Sequence, residues 1–373
     1  MISKESYYET RCFDEELSTL FGRGWHFVGM SGELAKDRDF VCVEHAGCSI
    51  VVQNFKGELK AFQNVCTHRF NKIQWEDRGN RPLSCRYHGW TYDRTGFPAA
   101  MPKREHYLTG EDASLCLTSY PVEACGKFVF VRMGGEGSLR EQLGAFHGVL
   151  EEFSTHIGEE IHYGAVPHAA NWKLLVENVL ECYHCGVVHR DTFIPIGIGR
   201  EPLDMVVSEA GHSSCHFPRV DQPREQVRRK YLLSHLKDRG LTHNSLYHIH
   251  VFPNLFISSP EGIAFYVGHA LPQGPGSTSL RTRLFEPALD FGPSERLRQA
   301  PINEASIRMT STVIDEDRLI LENIQEAIRF SDKSGRIGAE EVRIQAFHDR
   351  YHEQMASASE AGRTASSGIA DGV

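Results

Sequence analysis

Four side chains in the stretch CTHRFNKIQWEDRGNRPLSCRYH, residues 66–88, are of types that bind metals: Cys66 and His68, then Cys85 and His88. Each pair is close enough in sequence to reach one site from a single loop, and two such loops can close the site from opposite sides. Zinc fingers keep their cysteines together and their histidines together. Here each loop offers one of each, an order that suits a [2Fe–2S] cluster with thiolates on one iron and imidazoles on the other. Neutral imidazoles leave the cluster less negative than four thiolates would, which raises its potential. A zinc site from the same four residues is the alternative.

A second set lies in Glu181-Cys182-Tyr183-His184-Cys185-Gly186-Val187-Val188-His189. His184 and His189 with one carboxylate and open positions would make the facial triad of non-heme Fe(II) oxygenases. Five residues along an α-helix turn through about 140°, so the two rings share a face only if the helix breaks. Gly186 is the expected break. The carboxylate is sought in STVIDEDRLILENIQEAI, where Ile314, Asp317, Leu321, Ile324 and Ile328 fall on one helical stripe. Asp317 is thus an acid on an apolar face, while Asp315, Glu316 and Glu322 point elsewhere. A buried acid needs a cation beside it, and a core arginine is the other partner that would serve. Taken alone, His-x4-His in a chain with 20 histidines is equally well a pair of packed side chains. Cys182 and Cys185 are expected to be bystanders, because Fe(II) chemistry with O₂ would oxidise thiolate ligands. His248 and His250 alternate on a strand and share a face, where they either line a pocket or pack.

The elements that would carry these residues follow from the hydrophobic periods. FDEELSTLFGRGW, residues 13–25, has helical spacing, whereas DFVCVEHAGCSIVVQNFKGELKAF from residue 39 reads as three strands with turns at Ala46-Gly47 and Lys56-Gly57. KFVFVRM (127–133) adds another, giving a small antiparallel β domain. NWKLLVENVLECYHCGVVH, residues 171–189, begins as a helix, and residues 246–286 form a meander broken at Phe252-Pro253, Pro260-Glu261-Gly262 and Pro272-Gln-Gly-Pro-Gly. A long helix is expected over residues 303–330. The class is α+β, divided into a helical segment 1–35, a cluster domain 36–135, a second metal domain 136–352 and a disordered tail 353–373.

Composition narrows the function. The 373 residues are 40% hydrophobic and 24% charged, as in a soluble globular protein. The net charge of −9 argues against nucleic acid as a partner. The N-terminal residues carry charges every few positions and no apolar core, so neither a signal peptide nor a membrane span is expected, and a cytoplasmic protein is. Ten cysteines without a secretory signal fit metal binding better than a disulfide framework. The basic run at 224–233 is read as a solvated face. The glycine-rich pieces do not open helices after strands, so no flavin or nicotinamide fingerprint is present.

Together these residues resemble the catalytic α-subunit of Rieske non-heme iron oxygenases, over residues 5–350. The resemblance includes Phe21-x3-Trp25, the motif ending Tyr87-His88-Gly89-Trp90, Asn171-Trp172-Lys173, His184-x4-His189 and Asp317-x3-Leu321-Glu322-x2-Gln325. It implies an N-terminal antiparallel β Rieske domain on a catalytic domain with a helix-covered antiparallel sheet, assembled as a homotrimer. Cys66, His68, Cys85 and His88 fall on the cluster ligands, and His184, His189 and Asp317 on the ligands of mononuclear Fe(II). Electrons come from NAD(P)H through a separate reductase, with or without a ferredoxin. The family usually has aspartate where this chain has Glu181, and that residue bridges the ligating His184 to His88 of the partner subunit. Asn178, one turn earlier, would contact the site.

LECYHCG resembles the branch that oxidises carnitine, glycine betaine, choline and proline betaine. Phe70 and Asn71, and Gln325-Glu326-Ala327, depart from that branch. A quaternary ammonium substrate would need an aromatic cage, for which Tyr231, Tyr247, Phe252, Phe256, Phe265 and Tyr266 are candidates. The implied function is O₂-dependent hydroxylation or demethylation of a small organic substrate. The alternatives are an oxygenase acting on an aromatic or natural-product substrate, and a Rieske electron carrier. The carrier needs only the first ligand set, so the second set favours the enzyme.

Overall fold

The computed structural model describes residues 1–107, 115–198, 202–219 and 245–367, with Val227, Lys230, Tyr231, Ser234 and Leu236 between them, and side chains as far as Ala356. The chain divides into two compact units, Leu17–Ser154 and Met1–Glu16 with Thr155–Val373. The basic run at 224–233 lies for the most part outside the described residues.

The first unit is antiparallel β. Its strands are β1 (Trp25–Met30), β2 (Asp39–His45), β3 (Cys48–Phe55), β4 (Glu58–Gln63), β5 (Arg78–Asn80), β6 (Ser119–Tyr120), β7 (Val122–Cys125) and β8 (Phe128–Arg132). They form a sheet ordered β5-β2-β3-β4-β6 and a second ordered β1-β8-β7. Ala46-Gly47 and Lys56-Gly57 take positive φ at both positions, the backbone that two-residue hairpins require. The expected helix is shorter than its apolar spacing suggested. Helix α1 spans Thr10–Thr19, Gly24 turns the chain at φ 74°, and Trp25 opens β1. Helices α2 (Leu139–Leu143) and α3 (Phe146–Thr155) follow β8.

The second unit holds a seven-stranded antiparallel sheet of β9 (Ile157–His168), β10 (Leu203–Val207), β11 (Ser213–Pro218), β12 (Ser245–Val251), β13 (Leu255–Pro260), β14 (Phe265–Gly274) and β15 (Ser277–Pro287), in the order β10-β11-β12-β13-β14-β15-β9. Helices α4 (Trp172–Leu180) and α6 (Pro293–Ala327) cover it, α4 against β14 and α6 against β9; the short α5 (Cys185–Val188) lies between them in the chain. The N-terminal residues belong here. Glu16 and Lys173 form an ion pair of 2.6 Å with both side chains wholly buried, and Glu16 also accepts from Trp172 Nε1 at 2.9 Å and Tyr351 Oη at 2.7 Å.

Two boundaries in this unit's later helices also differ from the sequence reading. Helix α6 begins ten residues early, because Pro293 sits in its first turn and the Glu295 carboxylate accepts the Gly292 N–H. Pro301 lies inside the helix rather than before it. The tail expected to be disordered is helical as far as Ser367, in α7 (Val342–Ser367), where alanines carry good helix propensity. Residues 368–373 lie outside the described residues. Among the described residues no helix is long and apolar enough to cross a membrane.

Candidate metal centres

The two cluster loops of the first unit are built alike. Cys66 N–H donates to Asn71 O and Phe70 N–H to Cys66 O, both at 2.9 Å; Cys85 N–H donates to Trp90 O at 2.8 Å and Gly89 N–H to Cys85 O at 3.0 Å. The fourth residue after each cysteine is left-handed, Phe70 at φ 60° and Gly89 at φ 74°. A left-handed position favours residues without a bulky side chain, so Phe70 stands there at a conformational cost. Cys66 and Cys85 are buried, with Tyr92 Oη 3.1 Å from the Cys66 sulfur. The backbone N–H groups of Tyr87 and His88 donate to the Cys85 sulfur. The rings of His68 and His88 lie 4.5 Å apart, and Trp90 stacks on His68. His68 Nδ1 is buried without a hydrogen-bond partner. Two thiols held near backbone donors and an unpartnered imidazole nitrogen fit a two-iron cluster with mixed ligands.

In the second unit, the helix break comes earlier than Gly186. Helix α4 ends at Leu180, and Glu181 is extended at φ −132° and ψ 171°. The Glu181 carboxylate stops the helix by accepting the N–H groups of Tyr183 and His184, and it also accepts from His184 Nδ1. The chain then re-enters as α5, with His184 at its N-terminal cap and His189 at its C-terminal cap. That brings the rings to 5.2 Å. Asp317 on α6 meets them, with Oδ1 3.6 Å from His184 Nε2 and 3.0 Å from His189 Nε2. One ligand atom from each of the three lies within 4.8 Å of the others.

The proton positions make this a cation site. His184 Nδ1 faces Glu181 and His189 Nδ1 faces Glu316 Oε2 at 2.7 Å, so each ring donates from Nδ1 and keeps a bare lone pair on Nε2. Asp317 Oδ1 is buried without a hydrogen-bond partner despite its two close nitrogens. With both rings neutral, three lone pairs converge with no proton between them. Burial disfavours a charged His189, yet Asp317 and Glu316 outweigh it and raise the ring's pKa, so the spot attracts positive charge. The donor set of two imidazoles and a carboxylate suits Fe(II).

Glu316 was read as pointing elsewhere; instead it takes both His189 and the Thr192 hydroxyl, the latter at 2.7 Å. Adjacency to Asp317 was the signal available for it, since α6 turns only 100° per residue. The motif residues after Asp317 tie α6 to the start of α4. Glu322 accepts from Ala169 N and Gln325 from Asn171 N, at 3.0 and 2.8 Å, while Asn171 caps α4. Glu177 on α4 accepts from Tyr7 Oη and from His348 Nε2, the latter at 2.9 Å.

A cavity of about 640 Å³ opens onto the triad. Asn178, His248 and Cys182 line it, whereas His250 is buried behind it against Phe347 and Pro253 O. Cys182 and Cys185 are joined to each other in a disulfide, so neither offers a free thiolate to the triad. Of the aromatic residues considered for a cage, Tyr231, Phe256 and Tyr266 reach the cavity. Tyr247 instead stacks on His216, Phe252 packs on Phe347, and Phe265 is buried. On α6 the stripe of Ile314, Asp317 and Leu321 faces the cavity, and Ile324 is exposed.

Residues 151–357, more than half of the chain, match the family described as ring hydroxylating alpha subunit (catalytic domain), and residues 24–121 match the Rieske [2Fe-2S] domain. The chain belongs to the ring-hydroxylating alpha-subunit family. It is 30% identical over 192 residues to the carnitine monooxygenase oxygenase subunit of Acinetobacter pittii (strain PHEA-2), covering 50% of this chain and 52% of that one. The alignment thus spans about half the length of the curated relative. Its fold is similar to that of the quaternary ammonium Rieske monooxygenase CntA bound to an inhibitor, with TM-score 0.76 and 19% identity over 95% of both chains. It is also similar to naphthalene 1,2-dioxygenase with indole in the active site, with TM-score 0.74 and 19% identity over 94% of this chain and 91% of that one.

Proposed function

We propose that the protein is the terminal oxygenase component of a Rieske non-heme iron system, hydroxylating or demethylating a small organic substrate with O₂. The observation that carries this reading is the convergence of His184, His189 and Asp317 at a cavity, with both Nδ1 atoms held by carboxylates. Cys66, His68, Cys85 and His88 would hold the [2Fe–2S] cluster, and the triad would hold Fe(II). When bound, the cluster supplies single electrons and the mononuclear iron a place to activate O₂ beside the substrate.

The chain's own residues do the positioning. Glu181 and Glu316 orient the two imidazoles and raise their basicity. Burial, and then the Asp317 charge, raise the pKa of the Tyr266 hydroxyl, so it faces the cavity protonated. The apolar walls exclude water from the open side of the triad, and Asn178 offers an amide there. Glu181 engages both oxygens within its own chain, yet a carboxylate has about four lone-pair sites. The remaining sites serve the link to His88 of the partner subunit in a homotrimer. Electrons arrive from NAD(P)H through a separate reductase, with or without a ferredoxin, in the cytoplasm.

The relatives' substrates make a quaternary ammonium compound one candidate. The cavity favours a second, an aromatic or natural-product substrate, because its volume is roughly four times that of a cavity which holds benzene. The test of the oxygenase reading is coupled turnover with a surrogate reductase under labelled O₂. Label in the product or in a departing aldehyde supports it; oxygen from water alone, with exchange excluded, refutes it.

A further inference from the structure

The cavity wall opposite α6 carries a hydrogen-bond donor whose direction is fixed from behind. His248 on β12, Ser258 on β13 and Tyr266 on β14 are directly paired across the sheet, and all three line the cavity. Paired residues of this kind share a face. Behind His248 stands Arg343, which is 1% exposed. Its contacts are Ser213 Oγ at 2.9 Å, Cys215 Sγ at 3.1 Å, Leu180 O at 3.5 Å and His248 Nδ1 at 2.8 Å. None is a carboxylate.

A guanidinium only donates, so His248 Nδ1 must accept, and the ring's single proton sits on Nε2. Burial, then the charge of Arg343, keep the ring neutral. Nε2–H is left to face the cavity, with no protein partner among the described residues. The charged side chains lining the cavity are few. Asp317 is the one carboxylate among the described lining residues and belongs to the triad, Arg219 is paired with Glu261 at 2.7 Å, and Arg298 has no acid partner among the described residues. Apart from the aromatic rings of Tyr231, Phe256 and Tyr266, the wall offers donors and positive charge, and among the described lining residues no carboxylate outside the triad to hold a cation.

We propose that the substrate is a mainly apolar molecule, bulkier than a betaine, whose carbonyl or carboxylate oxygen accepts a hydrogen bond from His248 Nε2. This deepens the oxygenase reading and rests on it for the identity of the reacting end. His248 and Tyr266 are two strand spacings apart, ~10 Å, and Tyr266 is close enough to Asp317 to feel its charge. His248 and the triad line the same cavity of about 640 Å³, which has room for a substrate that reaches from one to the other. Glycine betaine is small beside a cavity of that volume.

Binding is measured on the oxidised holoprotein without reductant, so turnover plays no part. The probes are 2-decanone, decanoate, decyltrimethylammonium and glycine betaine. The two oxygen-bearing chains are expected to bind ~10-fold tighter than the ammonium chain, the size of one good hydrogen bond. His248→Phe should remove that advantage while leaving decyltrimethylammonium affinity unchanged. His248→Gln, whose amide can accept from Arg343 and donate to the ligand, should restore it. Retained iron and sulfide show that the variants fold, and the wild-type preference carries the test alone if His248→Phe does not. Tighter binding of either ammonium probe, or a His248→Phe loss equal for all chains, overturns the anchor. Iron analysis separates the two readings: a failed preference in protein holding both iron centres overturns only the anchor, whereas missing mononuclear iron overturns the oxygenase reading.

Discussion

Replacing Glu316 by glutamine should weaken Fe(II) binding 10- to 100-fold while leaving the cluster intact. Glu316 Oε2 accepts from His189 Nδ1 and from the Thr192 hydroxyl, each at 2.7 Å. Glutamine keeps an acceptor oxygen but removes the charge, and charge-assisted hydrogen bonds are roughly twice as strong as neutral ones. His189 then becomes a poorer donor to the metal and its ring is held less firmly. Loss of such a partner typically costs about 10- to 100-fold in metal affinity, or about 1.4 to 2.7 kcal/mol. The assay is an anaerobic Fe(II) titration against a competing chelator, with cluster absorbance as an internal control. Asp315→Asn removes the same charge one residue away, from an exposed acid paired with Arg318 at 2.8 Å. It should leave the affinity unchanged. Wild-type affinity in Glu316→Gln, or an equal loss in Asp315→Asn, would show that the His189 contact contributes nothing.

Lys173→Met should destabilise the second unit by about 3–5 kcal/mol, because it leaves the buried Glu16 carboxylate without its cation. Adding Glu16→Gln should recover most of the loss in urea unfolding; no recovery would mean that the two residues act separately. His250 is fully buried, and burial pushes its pKa down to about 3, against about 6.5 when unfolded. The unfolded state binds more protons between those values, so this residue lowers stability as pH falls through that window, by up to ~1.4 kcal/mol per pH unit. His250→Gln should therefore gain on the wild type as pH drops from about 6 to 4, and a gap that stays constant with pH contradicts the assignment. Gly89→Ala should cost about 1–2 kcal/mol, since it forces a side chain into a left-handed position. Phe70→Ala should cost much less, because that strain is already present; cluster loss to a chelator ranks the two.

The candidate ligand residues could be picked out in the sequence, the first four by local spacing and the other three less directly. Cys-x-His and Cys-x-x-His mark two loops, while the helical period shows Asp317 as the one acid on an apolar stripe of α6 and leaves a metal and a core arginine both open as its partner. What lay beyond reach depends on contacts between distant segments. Glu16 and Lys173 are 157 residues apart, so nothing in either neighbourhood announces that Met1–Glu16 belongs with the second unit. The position of the helix break escaped for a different reason. Gly186 has the backbone freedom to break a helix, but the Glu181 carboxylate supplies acceptors for the next turn's N–H groups and ends α4 first. Glu316 was missed because periodicity sorts residues by burial, whereas its role depends on where His189 Nδ1 points. The aromatic cage candidates divided in the same way, by which side of each strand faces the cavity.

The central claim is that one chain carries two iron centres with separate ligand sets. Iron and acid-labile sulfide analysis of three purified proteins tests it most directly. The wild type should hold about three irons and two sulfides per chain, from one two-iron cluster and one mononuclear site. His184→Ala should keep the sulfide and lose about one iron, and Cys85→Ser should lose the sulfide and keep about one iron. Zinc in either site, or a His184→Ala protein that retains all of its iron, would contradict the account.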